Sequence, residues 1–156
     1  MVIGIGNEFR SDDYAGLAVA RTLRLMRIPG VSVVEQFGEG TALIDALSGV
    51  DVVYLVDAVS SGARAGTIHR IDVDREFLPS SFRFFSTHAF GVAQAVNLAR
   101  TMNIAPAKFI FFGIEGKNFA RGENMSSETS SAIQKVITLL SNEILSTANN
   151  NLEQMV

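Results

Sequence analysis

Two stretches of this chain are apolar at every position, Val52-Val53-Tyr54-Leu55-Val56 and Phe109-Ile110-Phe111-Phe112-Gly113-Ile114. A strand with one wet face alternates apolar and polar residues, so runs without alternation belong in a sheet covered on both sides. Elsewhere the spacing is helical. The apolar positions are Leu17, Val19, Ala20, Leu23 and Met26 within residues 15–28, and Val92, Ala95, Val96 and Ala99 within 90–102. Within 128–146 they are Ile133, Val136, Ile137, Leu140, Ile144 and Leu145. Val2-Ile3-Gly4-Ile5-Gly6, residues 31–37 and an edge candidate at 67–71 are further strands, and 41–47 is a short helix. Strands alternating with helices predict an α/β fold, a three-layer sandwich in which a mainly parallel sheet carries helices on both faces.

No repeat or linker interrupts this pattern. A chain of 156 residues fits one domain, here 1–148, with the polar stretch 149–156 expected to be a disordered tail. Ser11 and Asp12 are read as N-caps of the first long helix, and Pro29-Gly30 as its stop. Residues 72–87, with Phe77, Leu78, Phe82, Phe84 and Phe85, read as loop with a short helix or turn. Those phenylalanines suit either a groove for a protein partner or packing beneath a loop.

Composition narrows the chemistry. The net charge is −3 and no basic run stands out, which argues against a nucleic-acid partner. No apolar segment approaches the roughly 20 residues needed to cross a bilayer. Residues 1–6 run straight into Asn7, Glu8 and Arg10, unlike a signal peptide, so the expected location is the cytoplasm. Cysteine is absent, which excludes disulfides and thiolate metal sites. A metal would be held by carboxylates, imidazoles, carbonyls or water, and the chain has only two histidines.

Open α/β sheets place their sites beyond the carboxyl ends of the strands. The polar residues just past the predicted strands are Asn7, Asp12 and Asp13, then Asp57, then Glu115, and His88 lies before a predicted helix where it can face the same edge. Two aspartates and a histidine suit a divalent metal with open positions, or an acid–base set without metal. Each also has a structural reading: Asp12 and Asp13 as caps, Asp57 as a turn residue, His88 as a helix-start residue. His69, in an alternating strand, reads as a surface residue. Asp45 and Asp51 fall away from this rim, and Glu39 and Glu115 are candidate outer contacts. Gly4-x-Gly6 lacks the third glycine of a dinucleotide fingerprint, since Phe9 occupies that position, and Glu8, Asp12 and Asp13 would repel a pyrophosphate. These glycines read instead as allowing a close strand-to-loop turn.

The run Gly4-Ile5-Gly6-Asn7-Glu8-Phe9-Arg10-Ser11-Asp12-Asp13-Tyr14-Ala15-Gly16 resembles the G-x-G-N-x-x-x-x-D-[DE]-x-x-G opening of the hydrogenase maturation endopeptidases. Val56-Asp57-Ala58 is similar to their second motif, and Thr87-His88 with Gly91 and Val92 to their third. Gly113-Ile114-Glu115-Gly116 with Asn118-Phe119 is similar to a stretch found in part of the family. The resemblance implies a five-stranded twisted sheet flanked by helices. It implies removal of a C-terminal peptide from the large-subunit precursor of a nickel–iron hydrogenase. It also implies that nickel already inserted in that precursor is recognised by two acids and a histidine, by position Asp13, Asp57 and His88. In that reading the metal polarises the scissile carbonyl, activates water, or only anchors the substrate, and a carboxylate acting as general base is a further option.

Two positions depart from the pattern. Asp13 stands where some members have Glu, and Gly38-Glu39-Gly40-Thr41 where many have Asp-Gly-Gly-[ST]. Two other activities are compatible with these residues: a metallo-peptidase of broader specificity holding its own zinc or nickel, and a non-enzymatic module that escorts nickel-loaded precursor.

Overall fold

The computed structural model describes residues 1–85 and 88–153, with side chains of the last helix described as far as Thr147. Thr87, part of the third motif, lies outside the described residues. Five strands form one sheet: β1 (Val2–Ile5), β2 (Val33–Gln36), β3 (Val52–Val59), β4 (Ile68–Asp72) and β5 (Lys108–Glu115). Among the described residues four α-helices accompany them: α1 (Ala15–Met26), α2 (Gly40–Leu47), α3 (Val92–Thr101) and α4 (Ser127–Glu153). The strand order is β2-β1-β3-β5-β4, parallel throughout except for β4, which runs antiparallel on the edge beside β5.

Side chains of the central strands alternate between two cores, as a period of two requires. Val2, Tyr54, Val56, Ala58, Ile110, Phe112 and Ile114 pack against Val19 and Leu23 of α1 and Ile133, Val136 and Leu140 of α4. Ile3, Ile5, Val53, Leu55, Val59, Phe109 and Phe111 pack against Leu43 and Leu47 of α2 and Val92, Val96 and Ala99 of α3. Each Val, Leu, Ile or Phe among them, fully withdrawn from water, contributes roughly 1.5–3 kcal/mol of transfer free energy. This doubly covered sheet is what the unbroken apolar runs at β3 and β5 demand.

Several local expectations are corrected. Ser11 and Asp12 do not cap α1; they lie in a 3-10 turn, Ser11–Tyr14, and Tyr14 holds the cap position without a side-chain bond. Strand β3 continues past Val56, so Asp57 sits inside it, opposite Gly113 of β5. His69 is not a surface residue: it is half-buried, with its Nε2 3.1 Å from Glu115 Oε2. Helix α4 runs on to Glu153, past the end at residue 146 that the apolar spacing predicts. Among the described residues no helix is long and apolar enough to cross a membrane.

Candidate active site

From β1 the chain goes to β2 on one side and from β2 back to β3 on the other, so a topological switch point lies between β1 and β3. Crevices at such points are the usual ligand sites of open α/β sheets. Pairing of β1 with β3 ends at Gly4 opposite Val56, and Ile5 and Asp57 lie just beyond it. A small cleft is lined there by Ile5, Gly6, Asn7, Arg10, Asp13, Phe37, Asp57 and Phe85. Its volume, about 30 Å³, suits one or two waters or a cation rather than a side chain.

Three glycines of the opening motif bring the aspartates to this cleft. A Cβ on Gly4 would lie 2.2 Å from the carbonyl oxygen of Gly16, and one on Gly16 would lie 2.1 Å from that of Ile5 and 2.3 Å from that of Val56. A Cβ on Gly6 would lie 2.0 Å from the carbonyl oxygen of Asp13. Bare backbone at these positions lets the start of α1 drop between β1 and β3. The expected tight turn is therefore a close helix–strand approach. The Asn7 amide donates to the Asp13 carbonyl at 3.1 Å and the Asp13 amide to the Arg10 carbonyl at 2.9 Å, which fixes the turn that carries Asp13.

The two cleft aspartates are buried yet poorly compensated. Asp57 is 4% exposed, and the one hydrogen bond its side chain accepts among the described residues comes from the Ala58 amide, 2.8 Å away. Burial, and then the charge of Asp13, push its carboxyl well above the ordinary aspartate range. Burial likewise pushes Asp13 up to about 6, although the nearby Arg10 guanidinium pulls the other way. Carboxyls in this condition hold protons readily and release them to a cation or to a reacting base.

Asn7 also lines the cleft, and the other candidates fall elsewhere. Asp12 is fully buried but turned away from the cleft; it accepts from the Lys117, Asn118 and Ser126 amides at 2.7, 3.0 and 2.7 Å and from Ser126 Oγ at 2.9 Å. Glu115 is buried and taken up by the Ser61 and Gly62 amides, Ser61 Oγ and His69, so it secures the turn after β3 rather than an outer contact. Glu39 is exposed and accepts a bond from Thr41 Oγ1 at 2.7 Å. His88 is exposed and does not line the cleft. Among the described residues no three of His, Cys, Asp and Glu stand close enough together to hold a metal ion. The structure thus brings Asp13 and Asp57 together and leaves His88 outside.

Arg10 and Phe37 were not singled out in the sequence, and Phe85 was named only within the Phe-rich stretch, yet all three line the cleft. Arg10 stood in view as the one cation of the opening motif. Phe37 directly follows β2, and a search past each strand that had admitted apolar residues would have found it. The Phe-rich stretch divides between its two readings: Phe82 and Phe84 pack on the core near Phe111, whereas Phe85 lines the cleft with its ring stacked on Phe119 at 3.5 Å.

Known proteins share this architecture. The sequence profile described as hydrogenase maturation protease matches residues 18–147. A Methanocaldococcus jannaschii protein provisionally named a hydrogenase maturation protease is 28% identical over 151 residues, 92% of this chain and 95% of its own. The nickel–iron hydrogenase maturation protease HybD from Thermococcus kodakarensis superposes with a TM-score of 0.70 at 22% identity, over 90% of this chain and 95% of that one. For the hydrogenase maturating endopeptidase HybD from E. coli the values are 0.73 and 18%, over 94% and 91%. The solved structures establish a common fold, and the profile match across most of the chain establishes descent: the chain belongs to the hydrogenase maturation protease family.

Proposed function

We propose that this peptidase removes a C-terminal peptide from the nickel-loaded large-subunit precursor of a nickel–iron hydrogenase, in the cytoplasm. One observation carries the reading: Asp13 and Asp57 share a cation-sized cleft at the switch point, both with raised proton affinity and neither neutralised by an ion pair closer than 4 Å among the described residues. Oxygen donors of like charge fit a hard or borderline divalent cation, whose arrival displaces their protons. The nickel belongs to the substrate. Asp13 and Asp57 contact it from the cleft, and His88 supplies the third protein donor from the segment ahead of α3.

Contact with the metal sets the scissile bond beside the cleft and orients its carbonyl for attack by water. The chain's own part is to grip, orient and move protons. A second reading, an aspartyl-type mechanism, is favoured by the raised proton affinity of the pair. One carboxyl holds a proton for the departing amine while the other accepts one from the attacking water.

The experiment uses precursor prepared with and without nickel, incubated with the protein and read by mass. Loss of a C-terminal fragment from the nickel-loaded form alone supports metal-guided cleavage. Equal cleavage of both forms would favour the aspartyl-type mechanism without metal recognition, and binding without mass loss would turn the proposal into an escort. Stoichiometric zinc or nickel in the purified protein would favour a metallo-peptidase with its own ion.

A further inference from the structure

We infer that Arg10 and Gly40 are positioning residues for His88, fastening the two ends of the segment that carries it. The inference rests on the proposed role of His88. Arg10 links the two halves of the site. Its carbonyl accepts from the Asp13 amide at 2.9 Å, while its Nη1 donates to the carbonyl of Phe85 at 3.1 Å. Its Nε reaches the carbonyl of Phe119 at 3.4 Å, and the rings of Phe85 and Phe119 stack on each other. One residue thus ties the turn bearing Asp13 to the beginning of the His88 segment. At the other end the Gly40 amide, at the start of α2, donates to the carbonyl of Phe90 at 2.9 Å. A Cβ on Gly40 would lie 2.4 Å from the Phe90 ring, so this glycine lets the segment settle against α2.

His88 lies between these two fastenings, exposed and within a few residues of each. A ligand on a short tether held at both ends reaches a limited set of positions, and partners that orient ligands typically govern affinity about 10–100-fold. Gly40 belongs to the Gly38-Glu39-Gly40-Thr41 stretch, and this contact gives that glycine a role independent of the acid absent at position 38.

The test is affinity for nickel-loaded and nickel-free large-subunit precursor, measured with wild-type protein, Arg10→Met, Arg10→Lys, Gly40→Ala, His88→Ala and the Arg10→Met/His88→Ala pair. Melting temperatures are recorded alongside. The expected result is about tenfold or greater weakening toward nickel-loaded precursor for Arg10→Met, Gly40→Ala and His88→Ala, with nickel-free precursor unaffected. The double variant is expected to bind no more weakly than His88→Ala alone, because Arg10 acts through His88. Arg10→Lys, which keeps the charge but bridges only one carbonyl, is expected to remain impaired. Should Arg10→Met fail to fold, Gly40→Ala paired with His88→Ala gives the same cycle. Losses that multiply in the double variant, wild-type binding by Arg10→Met, or full rescue by lysine would each overturn the inference while leaving the role of His88 standing. Wild-type binding by His88→Ala would remove that role, and this inference with it.

Discussion

Asp12 and Asp13 are adjacent in the chain and both buried, yet their carboxyls shift in opposite directions. Burial pushes Asp12 up, but the bonds from Asn118, Ser126 and Lys117 together outweigh it and hold the group below the ordinary range. Asp13 has burial without such bonds and rises to about 6. The first side chain secures structure, and the second is left chemically available. Asp12→Ala strands three backbone donors beside the segment leading into α4. It is expected to cost at least about 3 kcal/mol, read from urea unfolding.

Asp13→Asn is expected to act in the opposite sense. An aspartate whose pKa is raised on folding binds more protons in the native state, so stability falls as pH rises from about 4 through 6. At neutral pH the accumulated cost is about 3 kcal/mol for a shift of this size. The asparagine variant lacks that decline. Thermal unfolding between pH 4 and 8 is expected to show the variant gaining several degrees on wild-type above pH 6 and little below pH 4.

Gly16→Ala tests the approach of α1 to the sheet. The added methyl meets two backbone carbonyls, of Ile5 and Val56, that cannot rotate away as a side chain would. Overpacking of this kind costs about 1–3 kcal/mol or more, and relief requires α1 to lift. The expected outcome is a lowered melting temperature together with reduced cleavage, since the turn bearing Asp13 moves with the helix start.

Glu115→Ala removes the acceptor of the Ser61 and Gly62 amides and of Ser61 Oγ. Hydrogen exchange is expected to accelerate at Ser61 and Gly62, far more than at the β3 amides. Unchanged exchange at those two amides would mean that Glu115 does not hold the turn.

The layered fold was legible because the signals are dense and local: β3 and β5 are apolar throughout, and the helices repeat with helical period. The edge strand at 67–71 was legible too, but its antiparallel direction was not. Element ends were harder. Tertiary bonds to Asp12 override its capping preference, and α4 continues through residues of polar composition. Within the site, Asp13 and Asp57 were found by their place past the strands. Arg10 was not, and Phe85 was named only within the Phe-rich stretch, because the Arg10 guanidinium meets the Phe85 carbonyl between segments distant in the chain, a contact that no spacing rule encodes. The approach of His88 to that cleft was an expectation of motif order, and motif order does not fix where a loop places a side chain.

Cleavage of nickel-loaded large-subunit precursor by Asp13→Asn and Asp57→Asn, followed by mass, is the most direct measurement of whether these two carboxyls act together. Both variants are predicted to stay folded, with melting temperatures at neutral pH no lower than wild-type, while producing no shortened subunit under conditions where wild-type completes the reaction. Processing at the wild-type rate by either variant would contradict the account.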